Sequence, residues 1–118
     1  MRFLVIEDND ADKVLLELAI AKHKLENPID HAVTLAEALE LIKANTYRVI
    51  ITDLSLPDSQ GVETFIAIDN AAVNGEHIIC LSGAGDDCTV REARKAGAEY
   101  FVEKPMTAAD LEDIVNDI

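Results

Sequence analysis

Residues 49–58 read VIITDLSLPD, and this stretch decides the fold class of the chain. Val49, Ile50 and Ile51 form a continuous, β-branched apolar run rather than an alternating one. Such runs are typical of strands that helices cover on both faces, and strands of that kind belong to parallel sheets. Asp53 stands at the end of the strand, so the stretch predicts a buried parallel strand that leads into a carboxylate.

Further apolar runs of strand length lie on either side of this stretch, and the segments between them are long enough for helices. They comprise 3–6, a weaker run at 29–33, 78–81 and 100–102. A set of five strand–helix units in 118 residues fits an open, doubly wound sheet better than an eight-unit barrel, which needs about 250 residues. We therefore predict one α/β domain over residues 1–118, with a five-stranded parallel sheet of the flavodoxin-like (βα)5 type and strand order 2-1-3-4-5.

Several helices carry their own start signals. Thr34 and Glu37 form a T-x-x-E capping box, and Thr107 with Asp110 is a looser version that opens the last helix. The acidic pair at 86–87 is expected to cap the fourth helix, because acidic side chains are favoured in a first turn. The apolar stripe of the last helix is expected to comprise Leu111, Ile114, Val115 and Ile118.

The bounds of the first and third helices follow from apolar spacing. The first helix is expected to begin near Asp10, and the third at Ser59 or Gly61. The side chains that the first helix is expected to bury are Val14, Leu18 and Ala21.

Acidic residues outnumber basic ones by 23 to 10, which gives a formal net charge of -13. That charge repels nucleic-acid phosphates and anionic lipid headgroups, so we expect neither a nucleic-acid partner nor a membrane partner. The apolar run at the N-terminus is far too short for a signal-peptide core or a membrane span, which predicts a soluble, cytoplasmic protein. Neither the cysteines (Cys80 and Cys88) nor the three histidines show metal-ligand spacing. We interpret the cysteines as reduced thiols and the histidines as structural or exposed residues.

Polar side chains stand at the ends of the predicted strands: Glu7, Asp8, Asp53, Ser82 and Lys104. In an open parallel sheet the ligand site lies beyond the carboxyl ends of the strands, so these side chains are expected to converge. Three carboxylates close together repel one another at neutral pH unless a cation lies among them or some stay protonated. An all-oxygen site suits Mg²⁺, which often bridges to a phosphoryl group. The pattern therefore indicates a magnesium-assisted phosphoryl site.

Asp53 is the best candidate for a nucleophile, because it follows a rigid buried strand and is central among the strand ends. A carboxylate nucleophile gives an aspartyl-phosphate, and the surrounding cation, ammonium, hydroxyl and backbone N–H groups neutralise or bind the phosphoryl oxygens. A single aspartate at a strand end is usually a turn or cap residue, and Glu7 with Asp8 could merely cap the first helix. The convergence of the whole set favours the chemical role.

Four blocks of the sequence resemble the signature blocks of bacterial response-regulator receiver domains of the chemotaxis-receiver type, in order and at similar spacing. They are 3–9, 49–61, 81–83 and 102–105, and the resemblance covers essentially the whole chain. It implies that Asp53 accepts a phosphoryl group from a phosphohistidine of a sensor histidine kinase or phosphotransfer protein. It also implies a signalling switch that changes its output face and promotes only its own phosphorylation and dephosphorylation.

The resemblance also implies how individual residues bind the metal. Glu7 and Asp8 would hold Mg²⁺ together with Asp53, with Asp8 bound directly and Glu7 through water. The backbone carbonyl of Ser55 would be a further ligand. Because Ser55 and Ala84 are both small, they leave the path of an attacking water open but do little to orient it, so we expect a slow to intermediate lifetime for the phosphoryl group.

A second group of residues is implied to bind and sense the phosphoryl group. Ser82 would be the switch hydroxyl, Lys104 the ion-pair partner of the phosphoryl group, and Gly83 its backbone contact. Phe101 falls at the aromatic switch position, although it lacks the hydroxyl of the tyrosine that is frequent there. A cis peptide bond before Pro105 is typical of the family and consistent with the reduced cost of cis at X-Pro bonds.

The resemblance leaves the context of the domain open. We expect a C-terminal output domain or a hybrid kinase around it, and a monomer or a phosphorylation-dependent dimer. One alternative is a pseudo-receiver that binds partners without phosphorylation, against which the complete acidic and lysine set argues. The other is a phosphatase with an aspartyl nucleophile, which requires a general acid two residues further on, where Ser55 stands.

Overall fold

The fold is described by a computed structural model that covers residues 2–22, 29–83 and 85–117. The strands in chain order are β1 (Phe3–Ile6), β2 (Ile29–Ala32), β3 (Val49–Asp53), β4 (Ser55–Leu56), β5 (Ser59–Gln60), β6 (His77–Ser82) and β7 (Tyr100–Glu103). A parallel sheet contains five of them in the order β2-β1-β3-β6-β7, and β4 pairs only with β5. Because the short hairpin adds two strands to the numbering, this is the predicted order 2-1-3-4-5, and the predicted fold class is confirmed.

Helices cover both faces of the sheet, as the doubly wound fold requires. They are α1 (Asp10–Lys22), α2 (Leu35–Ala44), α3 (Val62–Ala71), α4 (Asp87–Lys95) and α5 (Ala108–Asp117). α1 and α5 pack together on one face, and α2, α3 and α4 pack on the other. Within the described residues, no helix is long and apolar enough to cross a membrane.

The surroundings of β3 explain its continuous apolar run. Every residue of the strand is buried. Val49 and Ile51 contribute to the core beneath α1 and α5, whereas Ile50 contributes to the core beneath α2, α3 and α4. Both faces need apolar side chains because both are covered. β1 and β6 flank this strand, so Asp53 lies at the centre of the carboxyl edge of the sheet.

The two predicted capping signals form. Oγ1 of Thr34 accepts a hydrogen bond from the N–H of Glu37 at 3.1 Å. The N–H of Asp110 donates to Oγ1 of Thr107 at 3.2 Å, and the N–H of Thr107 donates to Oδ2 of Asp110 at 3.0 Å. The stripe predicted for α5 is buried or half-buried where the structure describes it, at Leu111, Ile114 and Val115; Ile118 lies outside the described residues.

A small antiparallel hairpin of β4 and β5 fills the segment between β3 and α3. α3 therefore begins at Val62, directly after Gly61. The φ angle of Gly61 is 73°, in the left-handed region that glycine adopts without strain. Of the two predicted starts, Gly61 is right and Ser59 is wrong, because Ser59 is already paired in the hairpin.

The predicted buried face of α1 is wrong. Val14 and Leu18 are exposed by 52% and 53%, and Ala21 is also exposed. The buried side chains are Leu16, Ala19 and Ile20. These lie on nearly the opposite side of a helix with about 3.6 residues per turn. Because apolar side chains occur around most of the circumference of α1, spacing alone did not show which side meets the sheet.

A matched pair of substitutions tests this correction. Leu16→Ala is expected to lower the free energy of unfolding by about 2–4 kcal/mol, because it leaves a cavity between α1 and the sheet. Leu18→Ala removes an exposed side chain from the same helix and should change that free energy by about 0.5 kcal/mol or less. Urea denaturation followed by circular dichroism measures both values. Equal losses, or a larger loss for Leu18→Ala, would show that α1 packs through the other face.

Candidate functional site

Three acidic side chains meet at the carboxyl edge of the sheet. Glu7 and Asp8 follow β1, and Asp53 ends the neighbouring β3. The register that pairs Ile6 with Thr52 brings the ends of these two strands side by side. Carboxylate oxygens of the three acidic residues all lie within 4.8 Å of one another. The sheet therefore holds together three groups that repel one another when all are charged.

Asp53 is held rigidly within this cluster. Its side chain is largely buried, and each carboxylate oxygen has a partner. Oδ1 accepts a hydrogen bond from the N–H of Ser55 at 3.0 Å, and Oδ2 accepts one from Nζ of Lys104 at 2.5 Å. The preceding residue, Thr52, donates from Oγ1 to the carbonyl of Asp53 at 2.8 Å. The carboxylate therefore has a fixed direction at the end of a buried strand.

Lys104 reaches this cluster from the end of β7. Its N–H donates to the carbonyl of Ser82 at 2.8 Å, and the Lys104–Pro105 peptide bond is cis. Besides Asp53, Nζ lies 3.1 Å from Oε2 of Glu7 and 3.3 Å from Oδ2 of Asp12. One ammonium thus offsets part of the charge of three carboxylates.

These contacts shift two pKa values in the same direction. Burial acts to lower the pKa of Lys104, but the hydrogen bond to Asp53 and the ion pair with Glu7 outweigh it and raise that pKa above its ordinary value. Burial and then the charge of Asp53 raise the pKa of Glu7 to about 7, against the lowering effect of the Asn9 N–H and of Lys104. The lysine stays charged, whereas Glu7 titrates near neutrality.

The raised pKa of Glu7 makes the stability of the metal-free protein depend on pH. The folded state binds this proton more tightly than the unfolded chain does, so the contribution to stability is complete below about pH 4.5 and is lost as the pH rises towards 7. Between about pH 5 and about pH 8 in EDTA, the free energy of unfolding should fall by about 1–3 kcal/mol relative to Glu7→Gln, which cannot titrate. Urea denaturation at a series of pH values gives the difference. Parallel pH profiles for the two proteins would contradict this assignment.

One oxygen of Glu7 shows that the cluster fits a cation. Although Oε2 is at ion-pair distance from Lys104, the geometry makes no hydrogen bond, and this buried atom has no hydrogen-bond partner among the described residues. A buried carboxylate oxygen without such a partner is unfavourable. Together, Glu7, Asp8 and Asp53 form an oxygen-only donor set, which is the set that Mg²⁺ prefers. The residues present therefore fit a divalent cation.

Ser82 and Gly83 lie next to this cluster at the end of β6. Asp53 pairs with Leu81 across the sheet, so the half-buried Ser82 directly follows the partner of Asp53. The N–H of Gly83 donates to Oδ2 of Asp86 at 2.7 Å. Asp86 occupies the predicted N-cap position of α4, but its side chain makes no capping bond there. The pair thus lies at the start of α4 as predicted, with Asp87 in the first turn, but the Asp86 carboxylate bonds to Gly83 instead of to the helix.

Phe101 in β7 is half-buried and packs against the core beneath α2, α3 and α4. The guanidinium carbon of Arg94 lies 4.7 Å from the centre of its ring, which is a cation–π distance. Arg94 belongs to the last turn of α4. The ring of Phe101 therefore contacts both the apolar core and the arginine of α4.

Asp12 is the contact of Lys104 that was not predicted from the sequence. The available signal was its place in the first turn of α1, a few residues after Glu7 and Asp8 in the chain. With 23 acidic residues in the chain, the sequence did not distinguish Asp12 from the others. Ala84, to which the resemblance assigns an influence on phosphoryl lifetime, lies outside the described residues.

The cysteines and histidines that the structure describes are not members of the acidic cluster. Cys80 is buried in β6 and Cys88 is exposed in α4, and both are free thiols. Nε2 of His31 lies 3.1 Å from a carboxylate oxygen of Glu17, and His77 is half-buried at the start of β6. His23 lies outside the described residues.

Comparison with known proteins matches this chain to one family. The family described as "Response regulator receiver domain" matches residues 3–116. The transcriptional regulatory protein SrrA of Staphylococcus aureus is 28% identical over 108 residues, which cover 92% of this chain and 43% of that protein. The chain thus spans less than half the length of the curated relatives it matches.

Solved structures agree in fold over nearly the full length. A response regulator receiver domain protein from Clostridium thermocellum superposes with a TM-score of 0.83 at 27% identity, over 98% of this chain and 91% of that one. A CheY-like receiver domain from Methylobacillus flagellatus has a TM-score of 0.81 at 21% identity, over 99% and 97% of the two chains. This chain belongs to the response regulator receiver domains, the phosphorelay signalling switches of two-component systems.

Proposed function

We propose that Asp53 accepts a phosphoryl group from a phosphohistidine of a histidine kinase or phosphotransfer protein, and that this modification switches the output face of the domain. One observation carries the proposal. At the end of the central strand, the fixed carboxylate of Asp53 lies among carboxylate oxygens of Glu7 and Asp8 and bonds to the ammonium of Lys104. Phosphoryl transfer depends on such positioning and charge neutralisation more than on covalent chemistry.

The transfer exchanges one bond to phosphorus for another. A carboxylate oxygen of Asp53 attacks the phosphorus, and the P–N bond of the donor breaks as the P–O bond forms. The electron pair of the broken bond leaves with the imidazole nitrogen, and no general base is needed because the nucleophile is already a carboxylate. The proposed donors to the phosphoryl oxygens are Nζ of Lys104, the hydroxyl of Ser82 and the N–H of Gly83.

We assign a Mg²⁺ site to the same cluster. Asp8 and Asp53 are the proposed direct ligands with the backbone carbonyl of Ser55, and Glu7 binds through water. A cation there supplies positive charge against both the carboxylates and the phosphoryl oxygens. Burial and the charge of Asp53 raise the pKa of Glu7 to about 7. A bound cation would lower this pKa, because its positive charge offsets that of Asp53 and favours the deprotonated carboxylate.

Three residues are proposed to transmit the change. The hydroxyl of Ser82 moves to bond the phosphoryl group, the N–H of Gly83 exchanges Asp86 for a phosphoryl oxygen, and the ring of Phe101 repacks. Phe101 has no hydroxyl, so its response rests on packing and on its contact with Arg94. Partners then read the face made by α4, β7 and α5.

The proposed context of the domain rests on its family and its relatives. We propose a cytoplasmic domain that works within a longer regulator or a hybrid kinase, as a monomer or a phosphorylation-dependent dimer. It catalyses only its own phosphorylation and dephosphorylation. A phosphatase with an aspartyl nucleophile is disfavoured, because Ser55 offers a hydroxyl where that chemistry needs an acid.

Beryllofluoride, which mimics a phosphoryl group on a carboxylate, tests the proposal without any partner protein. With Mg²⁺ present, its addition should shift the backbone amide NMR signals of Ser82, Gly83 and Phe101 in a saturable manner. The shifts should be absent in EDTA. A folded protein that shows no change with both reagents present would contradict the proposal and favour a pseudo-receiver that works without phosphorylation.

A further inference from the structure

Asp58 makes a contact that joins two separate elements of the fold. It lies in the turn between β4 and β5 and is exposed. Its Oδ1 accepts a hydrogen bond from the N–H of Leu35 at 2.7 Å, and its Oδ2 accepts one from the N–H of Ala36 at 3.0 Å. Those groups belong to the first turn of α2, where N–H groups have no partner within the helix. The carboxylate thus binds both N–H groups at the positive end of that helix.

α2 already has a local cap, so Asp58 is not there simply to begin the helix. Thr34 occupies the N-cap and accepts a hydrogen bond from the N–H of Glu37. Asp58 takes the two N–H groups that this cap does not reach, and it comes from a turn more than 20 residues further along the chain. The contact therefore has two effects. It restricts the position of the turn relative to α2, and it satisfies N–H groups at the start of that helix.

The hairpin that carries Asp58 has other attachments, but they lie elsewhere. At its base the N–H of Gly61 donates to the carbonyl of Leu54 at 2.7 Å. The hydroxyls of Ser59 and Thr64 lie 2.7 Å apart, which ties β5 to α3, and Leu56 is buried. Among the described residues, Asp58 alone provides side-chain hydrogen bonds from the hairpin to α2.

We infer that Asp58 is a positioning residue of the phosphoacceptor site, which fastens the tip of the hairpin to α2 and so fixes the backbone of Ser55. Ser55 stands in β4 of this hairpin, and its N–H orients Asp53. The inference rests on the proposed function, in which the carbonyl of Ser55 is a metal ligand. Residues that orient metal ligands typically change metal affinity by about 10–100-fold when they are removed.

The test compares Asp58→Ala with Thr34→Ala. Both remove a cap from α2, but only Asp58→Ala also removes the hydrogen bonds between the hairpin and α2. With Mg²⁺ alone as the probe in isothermal titration calorimetry, Asp58→Ala should bind about tenfold more weakly than the unchanged protein, and Thr34→Ala should bind equally well. Both should lower the melting temperature in EDTA by similar small amounts. Asp58→Asn keeps one acceptor oxygen and should give an intermediate Mg²⁺ affinity.

Control substitutions separate the possible failures. Asp69→Ala removes an exposed acidic residue from α3 and measures the effect of net charge alone. If Asp58→Ala binds Mg²⁺ as tightly as Thr34→Ala or Asp69→Ala while the unchanged protein still accepts a phosphoryl group from acetyl phosphate, the positioning role is wrong and the proposed function stands. If the unchanged protein accepts no phosphoryl group, the proposed function itself is wrong.

Discussion

Replacing Asp53 with asparagine is expected to abolish phosphorylation of the protein by acetyl phosphate. The amide lacks the negative charge and the nucleophilic oxygen pair of the carboxylate, so no acyl phosphate can form. The Asn side chain keeps an oxygen that can accept the N–H of Ser55, and the fold should therefore persist. Intact-protein mass spectrometry after incubation with acetyl phosphate and Mg²⁺ measures the gain of one phosphoryl group.

The matched control for this substitution is Asp113→Asn, which makes the same change from carboxylate to amide at an exposed residue of α5. It should be labelled like the unchanged protein. Circular dichroism checks that both variants are folded. Full labelling of a folded Asp53→Asn protein would place the phosphoryl group on another residue.

Replacing Lys104 with methionine should strongly destabilise the metal-free protein. Its ammonium lies among carboxylates of Asp53, Glu7 and Asp12, and its side chain is only 23% exposed. Removing one partner of a largely buried ion pair leaves uncompensated charge, so the free energy of unfolding at about pH 7.5 in EDTA should fall by about 2–4 kcal/mol. Methionine has a similar flexible apolar stem, which limits the loss of packing. Urea denaturation in EDTA measures the loss.

The same substitution should increase the affinity for Mg²⁺. The ammonium and the metal neutralise the same carboxylates, so removal of one favours the other. Calorimetric titration with Mg²⁺ measures this change, and Lys95→Met, at the exposed end of α4, is the control. A metal-free Lys104→Met protein as stable as the unchanged one would show that the ammonium does not hold the acidic cluster together.

The sheet could be predicted because short stretches of sequence indicate its strands and helices, and several such stretches agree on the same fold. β3 is buried on both faces, so its apolar run is continuous, and the structure extends it to Asp53. Two helices begin where hydroxyl and carboxyl side chains satisfy their first N–H groups, at Thr34 and Thr107. The meeting of Glu7, Asp8 and Asp53 followed from the rule that parallel strands end at one edge.

Other features depend on tertiary structure and could not be predicted in the same way. α1 carries apolar side chains on opposite sides, so only packing shows that Leu16 is buried and Leu18 is exposed. The strands β4 and β5 have two residues each, which is too short to show a period. The contacts of Asp12 with Lys104 and of Asp58 with α2 join residues far apart in the chain, and nothing near either aspartate marks them.

Phosphoryl transfer to the unchanged protein, with and without a divalent cation, is the most direct test of Asp53 as a Mg²⁺-dependent phosphoacceptor. Acetyl phosphate with Mg²⁺ should add one phosphoryl group per chain, and peptide mapping should place it on the fragment that contains Asp53. Excess EDTA should prevent the addition, because the carboxylates of Glu7, Asp8 and Asp53 then lack a cation that offsets the charge of the incoming group. A folded protein that gains no mass when Mg²⁺ is present, or that gains as much mass in EDTA, would contradict Mg²⁺-dependent phosphorylation of Asp53.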